Sequence, residues 1–157
     1  MRQKFKTFAM ASGLIVLVLS TTLSLQTAFA APRLLCWGSG CNYVDPNTSG
    51  CAAAGGTFTA ISKWKTAASG TVRMDLRYAP ACNSNWTRVT NESPSAVRKL
   101  RAELWNSSQT TQITSYQSSI YVYIYTVMYD GSTVLCGRGK QGLVGGAYDA
   151  TTAFGCA

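Results

Sequence analysis

Six cysteines, Cys36, Cys41, Cys51, Cys82, Cys136 and Cys156, limit what this chain can become more than any other feature. Their number is even, and all follow a stretch that reads as an export signal. Outside the cytosol nothing keeps thiols reduced, so an even set in a small exported domain implies disulfides. Metal binding would need close pairs such as Cys-x-x-Cys knuckles, whereas the gaps here are 4, 9, 30, 53 and 19 residues. Spacing alone leaves the pairing open. The expected set is Cys36–Cys41 as a local loop, Cys51–Cys82 across the first sheet region, and Cys136–Cys156 pinning the C-terminus. A bridge closing a loop of about 30 residues stabilises by roughly 3–4 kcal/mol in the chain-entropy account.

The export signal spans residues 1–30. Arg2, Lys4 and Lys6 form its positive start, Gly13 to Leu19 its apolar centre, and Ala28-Phe29-Ala30 the small-residue site that a signal peptidase inspects. An uncleaved anchor is the alternative, since residues 7–32 carry no charge. Ser20, Thr21, Thr22, Ser24, Gln26 and Thr27 dilute that stretch and favour cleavage. Arg33-Leu34-Leu35 ahead of Cys36 argues against a lipid anchor there. Contact with a membrane is therefore expected only through the signal, before cleavage. The expected product is secreted, residues 31–157, one domain with a net charge of +5.

No histidine occurs in the chain. That excludes histidine-assisted nucleophilic triads, histidine metal sites and histidine pH switches. The composition is also too apolar for disorder.

Along residues 31–56, glycines and Asp45-Pro46-Asn47 punctuate every few positions. From Thr57 the pattern changes to period two, with Phe58, Ala60 and Trp64 expected on one face and Thr57, Thr59, Lys63 and Lys65 on the other. In Thr71–Tyr78 the alternation is clean: Val72, Met74, Leu76 and Tyr78 point one way, Arg73, Asp75 and Arg77 the other. These two runs, joined through Ala67-Ala68-Ser69-Gly70, read as a hairpin, and Trp86–Val89 as a third strand. Residues 93–105 fit a helix starting at Ser93-Pro94 or a strand with Leu100, Ala102 and Leu104 on one face; the strand agrees better with the neighbours. Ile120–Tyr129 reads as the strongest strand, followed by an Asp130-Gly131 hairpin turn and a return over Ser132–Cys136. A glycine-rich tail, held by Cys156, completes the chain. The expected fold is all-β: a small disulfide-bonded antiparallel sandwich or barrel.

Few residues offer catalysis. Asp45 precedes a proline, Asp130 sits in a turn, and no two carboxylates stand out as a facing pair. No catalytic residue, metal site or cofactor is expected. For binding, Tyr121, Tyr123, Tyr125 and Tyr129 fall on one face of a strand, opposite Ile120, Val122, Ile124 and Met128, either as packing or as a platform for sugar rings. Arg73, Arg77 and Arg88, with Lys63 and Lys65, would make a basic face, and Arg98-Lys99-x-Arg101 adds a local cluster. Such a face suits an anionic polymer, or serves simply to keep the protein soluble. Nucleic acid is not expected in an exported chain without a binding motif.

The order Cys36-x4-Cys41, Asp45-Pro46, Gly50-Cys51, then Asp75-Leu76-Arg77-Tyr78-Ala79-Pro80-x-Cys82-x3-Trp86-x-Arg88, and later Tyr125-Thr126-Val127-Met128-Tyr129-Asp130, resembles the YjfA-like family of small secreted bacterial proteins. The likeness covers roughly residues 36–136. Ala79 stands where that family usually has serine, and residues 93–119 depart from its pattern. The resemblance implies secretion, a β-rich fold and disulfides, and carries no catalytic residues. The expected function is a non-catalytic extracellular binding module contacting anionic cell-wall polymer or a surface protein; the alternative is a secreted effector, such as an antimicrobial protein or a protease inhibitor acting through loop 42–50.

Overall fold

The computed structural model describes residues 36–93, 96–120 and 122–157. The signal segment 1–30 and Tyr121 lie outside the described residues. Among the described residues, ten strands follow two short 3-10 turns: β1 Phe58–Ala67, β2 Gly70–Ala79, β3 Ser84–Asn91, β4 Arg98–Asn106, β5 Gln112–Ile120, β6 Tyr123–Tyr125, β7 Tyr129–Asp130, β8 Leu135–Gly142, β9 Tyr148–Thr151 and β10 Gly155–Cys156. They form two antiparallel sheets. The first runs β1-β2-β3-β6 with β7 also on β3; the second runs β10-β8-β4-β5 with β9 also on β8. The sandwich architecture is therefore the one expected, and residues 98–106 are strand. Among the described residues no helix is long and apolar enough to cross a membrane.

The inner faces meet in a core of Val72, Met74, Leu76, Val89, Leu100, Ala102, Leu104, Ile124, Leu135 and Ala150. Val72, Met74, Leu76, Val89, Leu100, Ala102 and Leu104 are alternating positions of β2, β3 and β4, so there the period-two pattern maps directly onto burial, while β6, β8 and β9 supply Ile124, Leu135 and Ala150. The sheets approach closely over β8. A side-chain carbon on Gly137 would sit 2.8 Å from Met74 Sδ and 2.9 Å from Thr87 Oγ1. One on Gly139 would sit 3.0 Å from Val89. What reads in the sequence as the start of a glycine-rich tail is thus a paired strand flanked by β4, β9 and β10, stripped of side chains where the other sheet presses on it.

The three disulfides are Cys36–Cys41, Cys51–Cys82 and Cys136–Cys156, the expected set. They imply folding in an oxidising compartment. The first two hold residues 36–56 over the outer face of the first sheet. There Cys41, Cys51, Cys82, Ala79, Trp86 and Met128 make a second apolar cluster.

Three expectations are corrected, each because pairing is irregular. First, β1 slips register between Thr59 and Ile61. Beyond that bulge the phase inverts: Lys63 and Lys65 pair with core-facing Met74 and Val72, while Trp64 pairs with Arg73 on the outer face and stays 59% exposed. Second, Ile120–Tyr129 is not one strand. The chain leaves the second sheet at Ile120, enters the first at Tyr123, and carries one extra residue between the pairs Arg88–Tyr125 and Asn85–Tyr129. That extra residue turns Tyr129 towards the core and Met128 towards Trp86, so the tyrosines do not share one face. Third, Asp130-Gly131 is not a hairpin turn back onto the preceding strand. Asp130 pairs with Ser84 on β3, and the chain crosses to β8 in the other sheet.

Candidate functional site

The outer face of the first sheet collects most of the expected binding residues. Strand register aligns Ser62, Asp75, Arg88 and Tyr125 in one row and Trp64, Arg73, Thr90 and Tyr123 in the next. Arg77, Trp86 and Thr59 form a third row, whose Trp86 lies under residues 36–56. Arg73, Arg77, Arg88, Tyr123 and Tyr125 therefore do come together; Lys63 and Lys65 do not join them.

Acids neutralise this face. Asp75 is 2% exposed. Its Oδ1 accepts from Ser62 at 2.6 Å. Its Oδ2 accepts from Arg88 Nη2 at 2.7 Å and Arg73 Nε at 3.2 Å. Arg73 also pairs with Glu92 at 2.9 Å. Burial raises the Asp75 pKa, but the hydrogen bonds from Ser62 and Arg88 and the charges of both arginines outweigh it and hold the carboxyl below its ordinary value. Arg77 donates to Thr59 Oγ1 at 2.6 Å.

Tyr125 accepts from Asn47 Nδ2 at 2.7 Å, which ties it to the N-terminal segment. Burial and the nearby Asp45 carboxylate hold its hydroxyl pKa above the ordinary value. Tyr123 is 44% exposed, with the Arg88 guanidinium 6.0 Å from its ring centre. Beside it the sandwich is open. A groove of about 400 Å³ separates β5 from β6 and is lined by Asp45, Tyr116, Ile120, Tyr123, Ile124 and Tyr125 among others. Tyr116 is on the core-facing phase of β5, opposite Ala102, yet is 53% exposed because the short β6 leaves it uncovered.

The second sheet carries a face of which the sequence picks out only the Lys99 and Arg101 part of the Arg98-Lys99-x-Arg101 cluster; Arg138 and Lys140 join it through the pairing of β4 with β8. Glu103 is 1% exposed and accepts from Arg101 Nε at 2.8 Å, Arg138 Nε at 2.7 Å, Lys140 Nζ at 2.9 Å and Trp105 Nε1 at 3.1 Å. Burial works against its ionisation, but Lys140 and Arg138 more than compensate and lower its pKa. Arg138 lies between Trp105 and Phe154, 4.7 and 4.6 Å from their ring centres. Lys99 stands over Tyr148 at 4.4 Å and donates to the Gly146 carbonyl. Three cations thus surround one carboxylate, and Lys99 adds a fourth positive charge to the same face. The signal was present as two period-two runs, Lys99-x-Arg101-x-Glu103-x-Trp105 and Arg138-x-Lys140, which become one patch only once β4 and β8 are known to pair.

Residues 39–135 match the family described as Protein of unknown function (DUF2690). No curated protein and no solved structure matches the chain.

Proposed function

Because the chain belongs to the DUF2690 family of proteins of unknown function, its surface is the available guide to its role, and we propose that it is a non-catalytic extracellular module that binds anionic cell-envelope polymer. One observation carries this reading: Lys99, Arg101, Arg138 and Lys140 share a sheet face with only Glu103 to balance them. An excess of positive charge on a rigid sheet favours a ligand with repeated negative groups, in a salt-dependent way. The arginines of the first sheet are weaker candidates, since Asp75 and Glu92 already neutralise Arg73 and Arg88. The three disulfides and the apolar stretch after Arg2, Lys4 and Lys6 support secretion, and the resemblance to YjfA-like proteins supports a bacterial source.

The test is retention of the oxidised protein, residues 31–157, on purified cell-wall material at low and high salt. Retention is expected at low salt, falling as salt rises and falling sharply in a Lys99→Ala plus Lys140→Ala variant, while Arg77→Ala plus Arg88→Ala changes little. Absence of retention at low salt overturns the proposal.

A further inference from the structure

The open half of the first sheet has no cationic excess, and its geometry points to a different ligand. We infer that Trp64, Arg73, Thr90 and Tyr123 form a binding row for a neutral, unbranched glycan chain, running across the sheet towards the groove beside Tyr116. The inference rests on the envelope-binding reading for the source of the ligand, but uses none of its residues.

Four observations converge. Trp64 and Tyr123 stand at opposite ends of a single register row, three strand spacings apart. At ~4.8 Å per spacing their backbones are about 14 Å apart, the reach of a short oligosaccharide. Both rings project from the sheet face that residues 36–56 leave open, with Trp64 59% and Tyr123 44% exposed. A large ring held out in water on an edge strand contributes little to the core, whereas it offers a flat apolar surface to the C–H face of a sugar.

Between the rings lies a preorganised polar floor. Asp75 fixes Arg73 and Arg88 in place, and Glu92 holds Arg73 from the other side. Guanidinium groups so anchored present their remaining N–H groups without further loss of side-chain freedom, which suits hydroxyl and amide acceptors on a sugar chain. Charge decides the class: Arg73, Arg77 and Arg88 share this face with Asp75, Glu92 and, at the groove, Asp45, so it carries little net charge and neither attracts nor repels ions strongly. A neutral polymer fits here, as a polyanion fits the other sheet. Tyr123 also lines the groove that contains Tyr116, so a chain passing over it continues onto a further aromatic ring.

The experiment is calorimetric titration of the oxidised protein with N-acetylglucosamine oligomers and, separately, cello-oligomers, from disaccharide to hexasaccharide, at low and high salt. Binding of at least one series is expected, tightening with length until the oligomer spans both rings, and unchanged by salt. Trp64→Ala or Tyr123→Ala weakens it by about tenfold each, equivalent to the ~1.4 kcal/mol scale of one ring contact. Both residues are on the surface, so thermal melts of the variants stay at the wild-type value and exclude unfolding as the cause. Lys99→Ala plus Lys140→Ala leaves glycan binding intact even if wall retention is lost, which separates the two proposals. The inference is overturned if neither series binds, or if binding survives both ring substitutions.

Discussion

Asp75 and Arg88 are register partners on β2 and β3, and the guanidinium closes to 2.7 Å on a carboxylate that is 2% exposed. The partners are unequal: Asp75 is enclosed, while the Arg88 side chain keeps 31% of its surface. Removing Asp75 leaves two guanidinium groups and the Ser62 hydroxyl without their shared acceptor. Removing Arg88 leaves Asp75 still bonded to Ser62 and Arg73. Asp75→Ala is therefore expected to cost about 3 kcal/mol and Arg88→Ala about 1 kcal/mol, read from urea unfolding midpoints. Equal losses would show that Asp75 is less dependent on its surroundings than its burial implies.

Acid should weaken the fold through Asp75 and Glu103. Both carboxyls have lower pKa values in the fold than their ordinary values of 3.8 and 4.5, because fixed cations and hydrogen bonds favour the charged form over the cost of burial. The folded state therefore holds their protons less tightly than the unfolded chain. Their stabilisation is complete above these ordinary values and is lost as pH falls through the lower folded values. Melting temperature measured from neutral to strongly acid pH should be flat at first, then fall. Glu103→Gln should lower the neutral plateau and make the acid decline shallower.

Close approach of the sheets at β8 predicts intolerance of any side chain there. Gly137→Ala places a methyl 2.8 Å from Met74 Sδ and Gly139→Ala places one 3.0 Å from Val89. Each is expected to destabilise by about 1–3 kcal/mol through overpacking. Gly55→Ala meets nothing within 4 Å and should be close to neutral. Thermal melts of the three variants check the order.

The disulfides should rank by what they close. Cys51–Cys82 spans 31 positions and Cys36–Cys41 spans 5. Chain entropy alone assigns them roughly 3.7 and 2.1 kcal/mol. The longer bridge also holds residues 36–56 over Trp86, so the Cys51→Ala plus Cys82→Ala protein should lose more stability and gain tryptophan exposure. Unfolding midpoints and iodide quenching of fluorescence, compared with the Cys36→Ala plus Cys41→Ala protein, test the ranking.

Much of this architecture is legible in the sequence where one strand face is buried and the other wet. Thr71–Tyr78 alternates because Val72, Met74 and Leu76 pack inward while Arg73 and Arg77 reach solvent on the other face and Asp75 is enclosed there by Ser62, Arg73 and Arg88. What is not legible are the places where one additional residue shifts the phase. Ala60 at the β1 bulge puts Trp64 outside and Lys63 inside, and the extra residue after Tyr125 separates Tyr129 from Tyr125. Alternation counted along the chain carries no mark of either, because a bulge is set by what the partner strand does. The β8 glycines mislead for a related reason: an absent side chain has no polarity to read, although the facing Met74 and Val89 require its absence.

The candidate site follows the same division. Arg73, Arg77, Arg88, Tyr123 and Tyr125 share a face as expected, because β2, β3 and β6 pair in regular register. Their neutralisation was hidden, since Glu92 lies beyond the end of β3 and meets Arg73 only through tertiary structure. The basic patch on the second sheet was hidden by distance along the chain: Arg101 and Lys140 are neighbours only because β4 and β8 pair.

The passage of the chain from β5 into β6 joins the two layers by backbone as well as by side-chain packing. Tension applied to one sheet is carried into the other along peptide bonds, so sliding of the layers is opposed by covalent structure on that side. A molecule gripped on its two opposite faces would then act as a stiff link, transmitting load until strands shear apart rather than yielding gradually between its halves.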